Sequence, residues 1–547
     1  MSLSLGLALI AASAALEAQT GSIAGVVKEM GSGVPLSDVV VSAAGEQTRT
    51  DAQGRFGFNS VEPGTVRVFV SDQERGAAAT TAAVVRPGEE AKVEVQLKLG
   101  GSISGRIFDT AGRPVSGAVV LLLLQRYQFG RIVFVPAQTA LTDERGEYSI
   151  KGVPAGRRVL VLAKKRLALT ALDEPPSYEG RERVLTPALH ADSPHLEGAQ
   201  SVVVASRERR AGIDVRLRDT PGYCIEGVVD AETKTAFVSV TERLPFDSGW
   251  MMTPATVRAN EEGVFRACGL YPGEYRLVAG KSLPGNTAAE RMSGAAATVL
   301  ASGSAVVFDK DLRGVRLTEQ PPVAVEGDAV YDPEPREKSG PLQISVSRYV
   351  AGAGYADSIG KSASFGGSLG GMISGRGTNV PGPFSLGRLR SGEWRVEVGR
   401  LPAGCYVKAM TYGSQDLLRG LLRAGEEGAG ERVRLTVACD GGSLTARVDD
   451  RAGQAVASAV LFLFDADAAT PGQMALHLRR VPVATGWSAT MTPIPPGKYL
   501  ALATDIEAAA ETYADEVEAL WEFRGQAKPV RIEAGGIAQV SLTFVAR

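Results

Sequence analysis

Two stretches decide the fold: TDAQGRFGFNSVEPGTVRVFV, Thr50 to Val70, and TDERGEYSIKGVPAGRRVLVL, Thr142 to Leu162. In the first, Phe56, Phe58 and Val61 are spaced toward one face, and Val66, Val68 and Val70 repeat the pattern after an interruption. Residues i and i+2 share a side in a strand, so both runs read as half-buried strands. The interruption is Pro63-Gly64, a fixed φ followed by a residue free to take positive φ, which is turn chemistry. Gly54 fits the left-handed position ending the preceding turn. The expectation is a hairpin, with antiparallel strands on either side of Pro-Gly.

Working outward, the same frame recurs. GSIAGVV from Gly21 and GSISGRI from Gly101 precede the two stretches, followed by PLSDVVV and PVSGAVV. Phe265 stands eight residues before Gly273, and Phe384 eight before Gly392, as Phe56 stands before Gly64 and Tyr148 before Gly156. In the last copy that position is Ala489. Opening strands count the copies: Ile23-x-Gly25, Ile103-x-Gly105, Ile225-x-Gly227, Val325-x-Gly327 and Leu444-x-Ala446. Their spacing of roughly 100 residues suits one β-sandwich each rather than a small solenoid repeat. The fold class expected is therefore all-β, a tandem array of five antiparallel Ig-like β-sandwiches with little helix. The boundaries are 19–100, 101–219, 220–319, 320–439 and 440–547, with long inserts at 167–211, 283–303 and 352–383.

Composition narrows the function classes. Lys plus Arg is 59 and Asp plus Glu 61, a formal net charge of −2. Nucleic-acid binding rests on an excess of phosphate-neutralising cations, so no nucleic-acid partner is expected. A hydrophobic share of 44% supports ordinary cores and argues against global disorder. Residues Leu3 to Leu16, LSLGLALIAASAAL, are too short to span a membrane. They fit the h-region of a secretory signal peptide over 1–18, with cleavage after Ala18, although no Lys or Arg precedes Lys28. No other stretch approaches a membrane span, so the expected location is secreted, periplasmic or at the cell surface.

GSISGRIFDTAGRPVSGAVV, followed by the TDxxGxY turn and the VPAG turn, resembles the carboxypeptidase regulatory-like domain. The resemblance is carried by motif in the first two units, less fully in the fifth, and by spacing in the third and fourth. It implies a transthyretin-like sandwich, also grouped as a carbohydrate-binding-like fold, together with export and a non-catalytic role. It implies no site residues and no cofactor. Five sandwiches use up the chain, leaving no room for a peptidase domain.

Several motifs suggest chemistry and are better read as structure. Gly366-Gly367-Ser368-Leu369-Gly370 matches the G-x-S-x-G elbow, with His477 downstream, but it sits in a Gly/Ser-rich loop rather than a strand-to-helix turn. IGKS, Ile359 to Ser362, follows Gly354 one residue too far away for a phosphate loop. His190, Asp192 and His195 in LHADSPH lack further metal-spaced ligands. Asp449-Asp450, Asp465-x-Asp467 and Asp309-x-Asp311 lack the spacing of a calcium loop. No catalytic residue, metal or cofactor is expected. Among the four Trp, Trp394 and Trp487 read as core, and Trp521 as packing a short helical insert against the last sandwich. Trp250 is the candidate for stacking on a sugar ring.

The four cysteines allow three pairings. Counting by twos from Ile225 and Phe265 puts Cys224 and Cys268 outward on neighbouring strands, where they can meet. Cys405 opens the strand CYVKAM and Cys439 closes RVRLTVAC, and an antiparallel arrangement brings these ends together. The expected bridges are Cys224–Cys268 and Cys405–Cys439, each adding roughly 3 to 4 kcal/mol in the chain-entropy view. The function expected is an exported structural or adhesive scaffold without catalysis, partnered by an envelope or extracellular protein or polysaccharide. The alternative is an extracellular carbohydrate-binding protein using Trp250.

Overall fold

The computed structural model describes residues 20–546 apart from 168, 170–182, 232–234, 245–254, 281–298, 320, 336–341, 349–372, 375–381, 390–391, 426–430, 455, 457–458, 484–487 and 507–511. The chain forms five two-layered β units in sequence order, and their cores are built on equivalent strands. In each unit the opening strand lies between an antiparallel neighbour and a parallel one, the latter being the unit's closing strand. In the first unit Gly21–Glu29 pairs with Arg55–Val61 on one side and Glu90–Leu97 on the other. The second layer is formed by Val40–Ala43, Glu46–Arg49, Gly64–Asp72 and Ala77–Val85. In the third unit a single pairing, Ser302 with Thr318, joins the two layers edge to edge.

The Pro-Gly turn is not a hairpin. Arg55–Val61 and Gly64–Asp72 belong to different layers, as do Glu147–Val153 and Arg158–Lys164 in the second unit. The turn carries the chain over the core, so the two strands face each other through side chains instead of sharing backbone hydrogen bonds. Alternation specifies which face of a strand is buried and is silent on which edge finds a partner. Both arrangements satisfy the same sequence pattern.

The spacing of Phe56, Phe58 and Val61 also acquires a cause. A strict period of two would bury residue 60, but the register slips between Ile23–Phe58 and Gly21–Val61. Such a bulge places one extra residue in the strand and turns the next side chain inward. Comparable slips lie between Ile150 and Val153, Ala267 and Leu270, and Met491 and Ile494.

The glycine of the opening strand is explained by its close neighbours: the facing ring at Gly25, Gly227 and Gly327, and the Ile213 carbonyl of the parallel side at Gly105. Gly25 faces Phe56, Gly105 faces Tyr148, Gly227 faces Phe265, Gly327 faces Phe384 and Ala446 faces Ala489. A Cβ on Gly25 or Gly327 would lie 2.3 Å from the Phe ring, and one on Gly227 would lie 2.7 Å from it. The aromatic side chain therefore lies across a backbone that has no side chain of its own. In the fifth unit both members differ, with Ala446 in the glycine's place and Ala489 in the aromatic's, so a larger residue on one strand accompanies a smaller one on the other.

Candidate functional site

The TDxxG turns show what the polar residues of the repeat do. Asp51 Oδ1 accepts the amides of Gln53 and Arg55 at 2.9 and 2.8 Å, and Asp143 Oδ1 accepts those of Arg145 and Glu147 at 2.9 and 2.8 Å. Thr50 Oγ1 donates to the Leu36 carbonyl at 2.7 Å while accepting from the Val39 amide at 3.0 Å, and Thr142 repeats this with Val115 and Ala118. Gly54 and Gly146 complete these turns at φ 71° and 72°, each accepting through its carbonyl from the opening strand. The Thr and Asp positions therefore match bond for bond across the two repeats.

The candidate metal and catalytic residues take part in similar structural bonds. His190 Nδ1 lies 3.0 Å from the Asp214 carbonyl, Asp192 Oδ1 accepts the Arg216 amide at 2.6 Å, and His195 precedes the short turn Leu196–Gly198. His477 ends the helix Pro471–Leu476. Asp450 Oδ1 accepts the amides of Ala452 and Gln454, Asp465 Oδ1 that of Asp467, and Asp311 Oδ1 that of Cys224. Asp449 pairs with Arg447 at 3.2 Å. Among the described residues no three His, Cys, Asp or Glu side chains gather as a metal site. Ser368, the IGKS stretch, Trp250, Trp487 and the segment 1–18 lie outside the described residues. Trp394 is buried in the fourth core, and Trp521 sits on the helix Ala514–Phe523 against the fifth unit.

Each disulfide has one cysteine at the end of a strand that bounds a unit, Cys224 at the start of the third unit's opening strand and Cys439 just past the fourth unit's closing strand. Cys224–Cys268 has a Cα separation of 4.0 Å and lies at the bulge where the third unit's opening strand meets Val264–Leu270. Cys405–Cys439, at 3.9 Å, joins the residue before Tyr406–Tyr412 to the residue after Arg432–Ala438. Tyr406 and Ala438 are directly opposed there, as two antiparallel ends require.

Glu29, Lys164 and Glu516, whose chemistry is perturbed by burial or pairing, lie at or beside joints between units, and each of these joints involves the second unit. Its strand Val119–Gln128 is buried on both faces along its first half. Val120, Leu122 and Leu124 point into its own core. Val119, Leu121 and Leu123 pack outward with Leu160, Leu162 and Leu189, and this cluster is closed by Leu244 of the third unit. Beside Leu244, Lys164 of the second unit meets Glu242 of the third; both are almost fully buried, and Tyr271 donates its hydroxyl to the same carboxylate. Burial pulls the Lys164 ammonium down to about 7.

The fifth unit reaches back to the second through the helix Ala514–Phe523. Its sheet is likewise buried on both faces, Leu461 and Leu463 inward and Val460, Phe462 and Phe464 beneath Val517 and Leu520. Tyr127 of the second unit packs against this cluster. The Tyr127 amide donates to the Thr512 carbonyl at 2.8 Å, Arg157 pairs with Asp515 at 3.0 Å and lies over the Tyr513 ring, and Arg158 pairs with Glu518. Glu516 is fully buried. Arg480 holds one of its oxygens at 2.5 Å, and the other has no hydrogen-bond partner. Burial pushes the Glu516 carboxyl up to about 7, with Arg480 and Arg157 opposing the shift and Asp515 adding to it. A third joint pairs Glu29 of the first unit with Arg207 of the second at 2.5 Å; Ser32 and Arg207 hold that carboxyl below its ordinary value.

These joint residues escape a reading of the sequence. A signal for them exists: VVLLLL at 119–124 and VLFLF at 460–464 are continuous apolar runs, the mark of strands buried on both faces. Nothing in the sequence says which unit covers the second face.

Fold and joints together define a protein of tandem β-sandwich units in which the second unit is tied to the first, third and fifth by charge pairs. The family model of the carboxypeptidase regulatory-like domain matches residues 22–98 and 102–173, so the first two units carry matches to that domain. No curated protein matches the chain. Among solved structures, the Bacillus anthracis TIE protein is 11% identical over 92% of this chain and 75% of its own, with a TM-score of 0.15. A streptococcal ancillary pilin is 9% identical over 61% of this chain and 98% of its own, with a TM-score of 0.17. BcpA, the major pilin subunit of Bacillus cereus, is 10% identical over 55% of this chain and 99% of its own, with a TM-score of 0.13. Superpositions this loose say nothing about what the present chain does.

Proposed function

We propose that the protein is a non-catalytic, exported scaffold at the cell envelope, holding or presenting an extracellular protein or polysaccharide. One observation carries this reading. The buried ionisable groups are spent on internal pairs, Lys164 with Glu242 across a joint and Arg480 with Glu516 beside one. Such charges orient rigid bodies relative to one another, which a scaffold needs. Two disulfides fit an oxidising compartment, which supports export through the apolar segment 1–18. Among the described residues no helix is long and apolar enough to cross a membrane.

The experiment is surface biotinylation of intact cells, followed by turnover assays on ester, peptide and glycan substrates with the purified chain. The expected result is surface labelling and no turnover. Hydrolysis that disappears with Ser368→Ala would overturn the reading. The carbohydrate alternative rests on Trp250. Binding on a glycan array that is lost with Trp250→Ala would establish it.

A further inference from the structure

The opening and closing strands of every unit are neighbours, and they run parallel. Ser22–Glu29 lies beside Glu90–Leu97, Glu326–Tyr331 beside Arg432–Val437, and Ser443–Asp449 beside Ile537–Thr543. Ile225–Asp230 lies beside Leu312–Thr318 with one slip. In the second unit the pairing is broken into two pieces, Arg209–Arg210 and Val215–Arg216 against the strand Gly101–Phe108.

This arrangement has a mechanical consequence. The chain enters a unit at the start of its opening strand and leaves at the end of its closing strand. In a parallel pair those two points lie at opposite ends of one ladder. Tension along the chain then slides the strands past each other and loads all of their evenly spaced hydrogen bonds together. In an antiparallel pair pulled from one end, the bonds break singly, in sequence.

The disulfides sit at the same loading points. Cys224 stands at the start of the third unit's opening strand and ties it to Cys268 on the other neighbour. Cys439 stands one residue past the fourth unit's closing strand and ties its end to Cys405. The second unit, whose ladder is broken, is the one that the first, third and fifth units brace from outside.

We propose that each unit is a shear clamp, and that the protein bears tension along its length through the parallel pairing of opening and closing strands. This rests on the scaffold reading and adds to it a load-bearing role.

The test uses the full oxidised chain, in which all four native cysteines are in disulfides, so engineered thiols accept handles selectively. Thr20→Cys with Lys98→Cys pulls the first unit across its parallel ladder. Thr20→Cys with Glu62→Cys pulls the same unit from one end of the antiparallel pair, where Gly21 faces Val61. All three positions are exposed. In single-molecule pulling at one speed, the first variant is expected to rupture at several-fold higher force. Equal forces, or the reverse order, overturn the clamp.

A second measurement pulls the chain from its ends with and without reductant. The disulfides enclose sequence separations of 44 and 34 residues. At about 3.3 to 3.6 Å per residue, reduction should lengthen two unfolding steps by ~150 and ~120 Å. Unchanged steps overturn the bracing. Equal forces leave the scaffold reading standing, whereas catalytic turnover would remove that reading and leave the forces unchanged, so the two failures are distinguishable.

Discussion

Substituting Gly327 by alanine should change sign in its effect on stability according to what stands at residue 384. A Cβ at Gly327 would lie 2.3 Å from Cζ of Phe384 and 2.7 Å from both Cε atoms, and these are its three nearest neighbours. Phe384 is buried in the fourth core. Overpacking of this kind costs about 1–3 kcal/mol. Against it stands the backbone term: alanine is better than glycine within a strand by about 0.5–1 kcal/mol where φ is unstrained. Gly327→Ala alone should therefore destabilise the fourth unit by about 1–2 kcal/mol. Phe384→Ala alone should cost about 3–5 kcal/mol. With the ring gone the clash is gone, and adding Gly327→Ala should stabilise by about 0.5–1 kcal/mol. The cycle then shows a coupling of about 2–3 kcal/mol, near the top of the range for residues in contact. The fifth unit already carries the double replacement, as Ala446 opposite Ala489. Native-state hydrogen exchange on peptides covering Val323–Tyr331 and Arg432–Ala438 reads the fourth unit's opening energy, with the first unit as internal reference. If Gly327→Ala shifts that energy equally in both backgrounds, the ring-over-glycine reasoning is refuted.

Lys164→Met should loosen the joint between the second and third units, because it leaves Glu242 buried with Tyr271 as its remaining partner; breaking one side of such a pair costs about 3–5 kcal/mol. Lys164→Met with Glu242→Leu should recover most of that loss, and hydrogen exchange of Arg158–Lys164 and Phe237–Glu242 reads both. The Glu516 carboxyl titrates at about 7 in the fold against an ordinary value of 4.5, so the folded state holds its proton over that window. Its contribution to stability is then present at low pH and lost as pH rises from 4.5 through about 7. Glu516→Gln should remove this decline from thermal melts taken across that window, and an unchanged profile would contradict it.

The repeating unit is legible in the sequence. The period-two runs, the TDxxG turn and the small residue two positions after the Ile, Val or Leu of each opening strand all reappear in the structure. Ala489, which departs from the aromatic frame, is the partner of Ala446. The expected hairpin at Pro63-Gly64 fails for a physical reason, since facing strands and hydrogen-bonded strands share one alternation pattern. The joints are illegible for a different reason. Lys164 and Glu242 are 78 positions apart, as the difference of their numbers shows, and each looks like an ordinary charge at the end of a strand. Their pairing is decided by how whole units dock, and no local pattern encodes that.

An exported scaffold with oxidised third and fourth units is tested most directly by a non-reducing peptide map. The protein is recovered from the envelope and medium of the cells that make it, alkylated before lysis. The expected result is two linked peptide pairs, Cys224 with Cys268 and Cys405 with Cys439, and no alkylated cysteine. Four alkylated cysteines in protein recovered from the cytoplasm would contradict export and oxidation together.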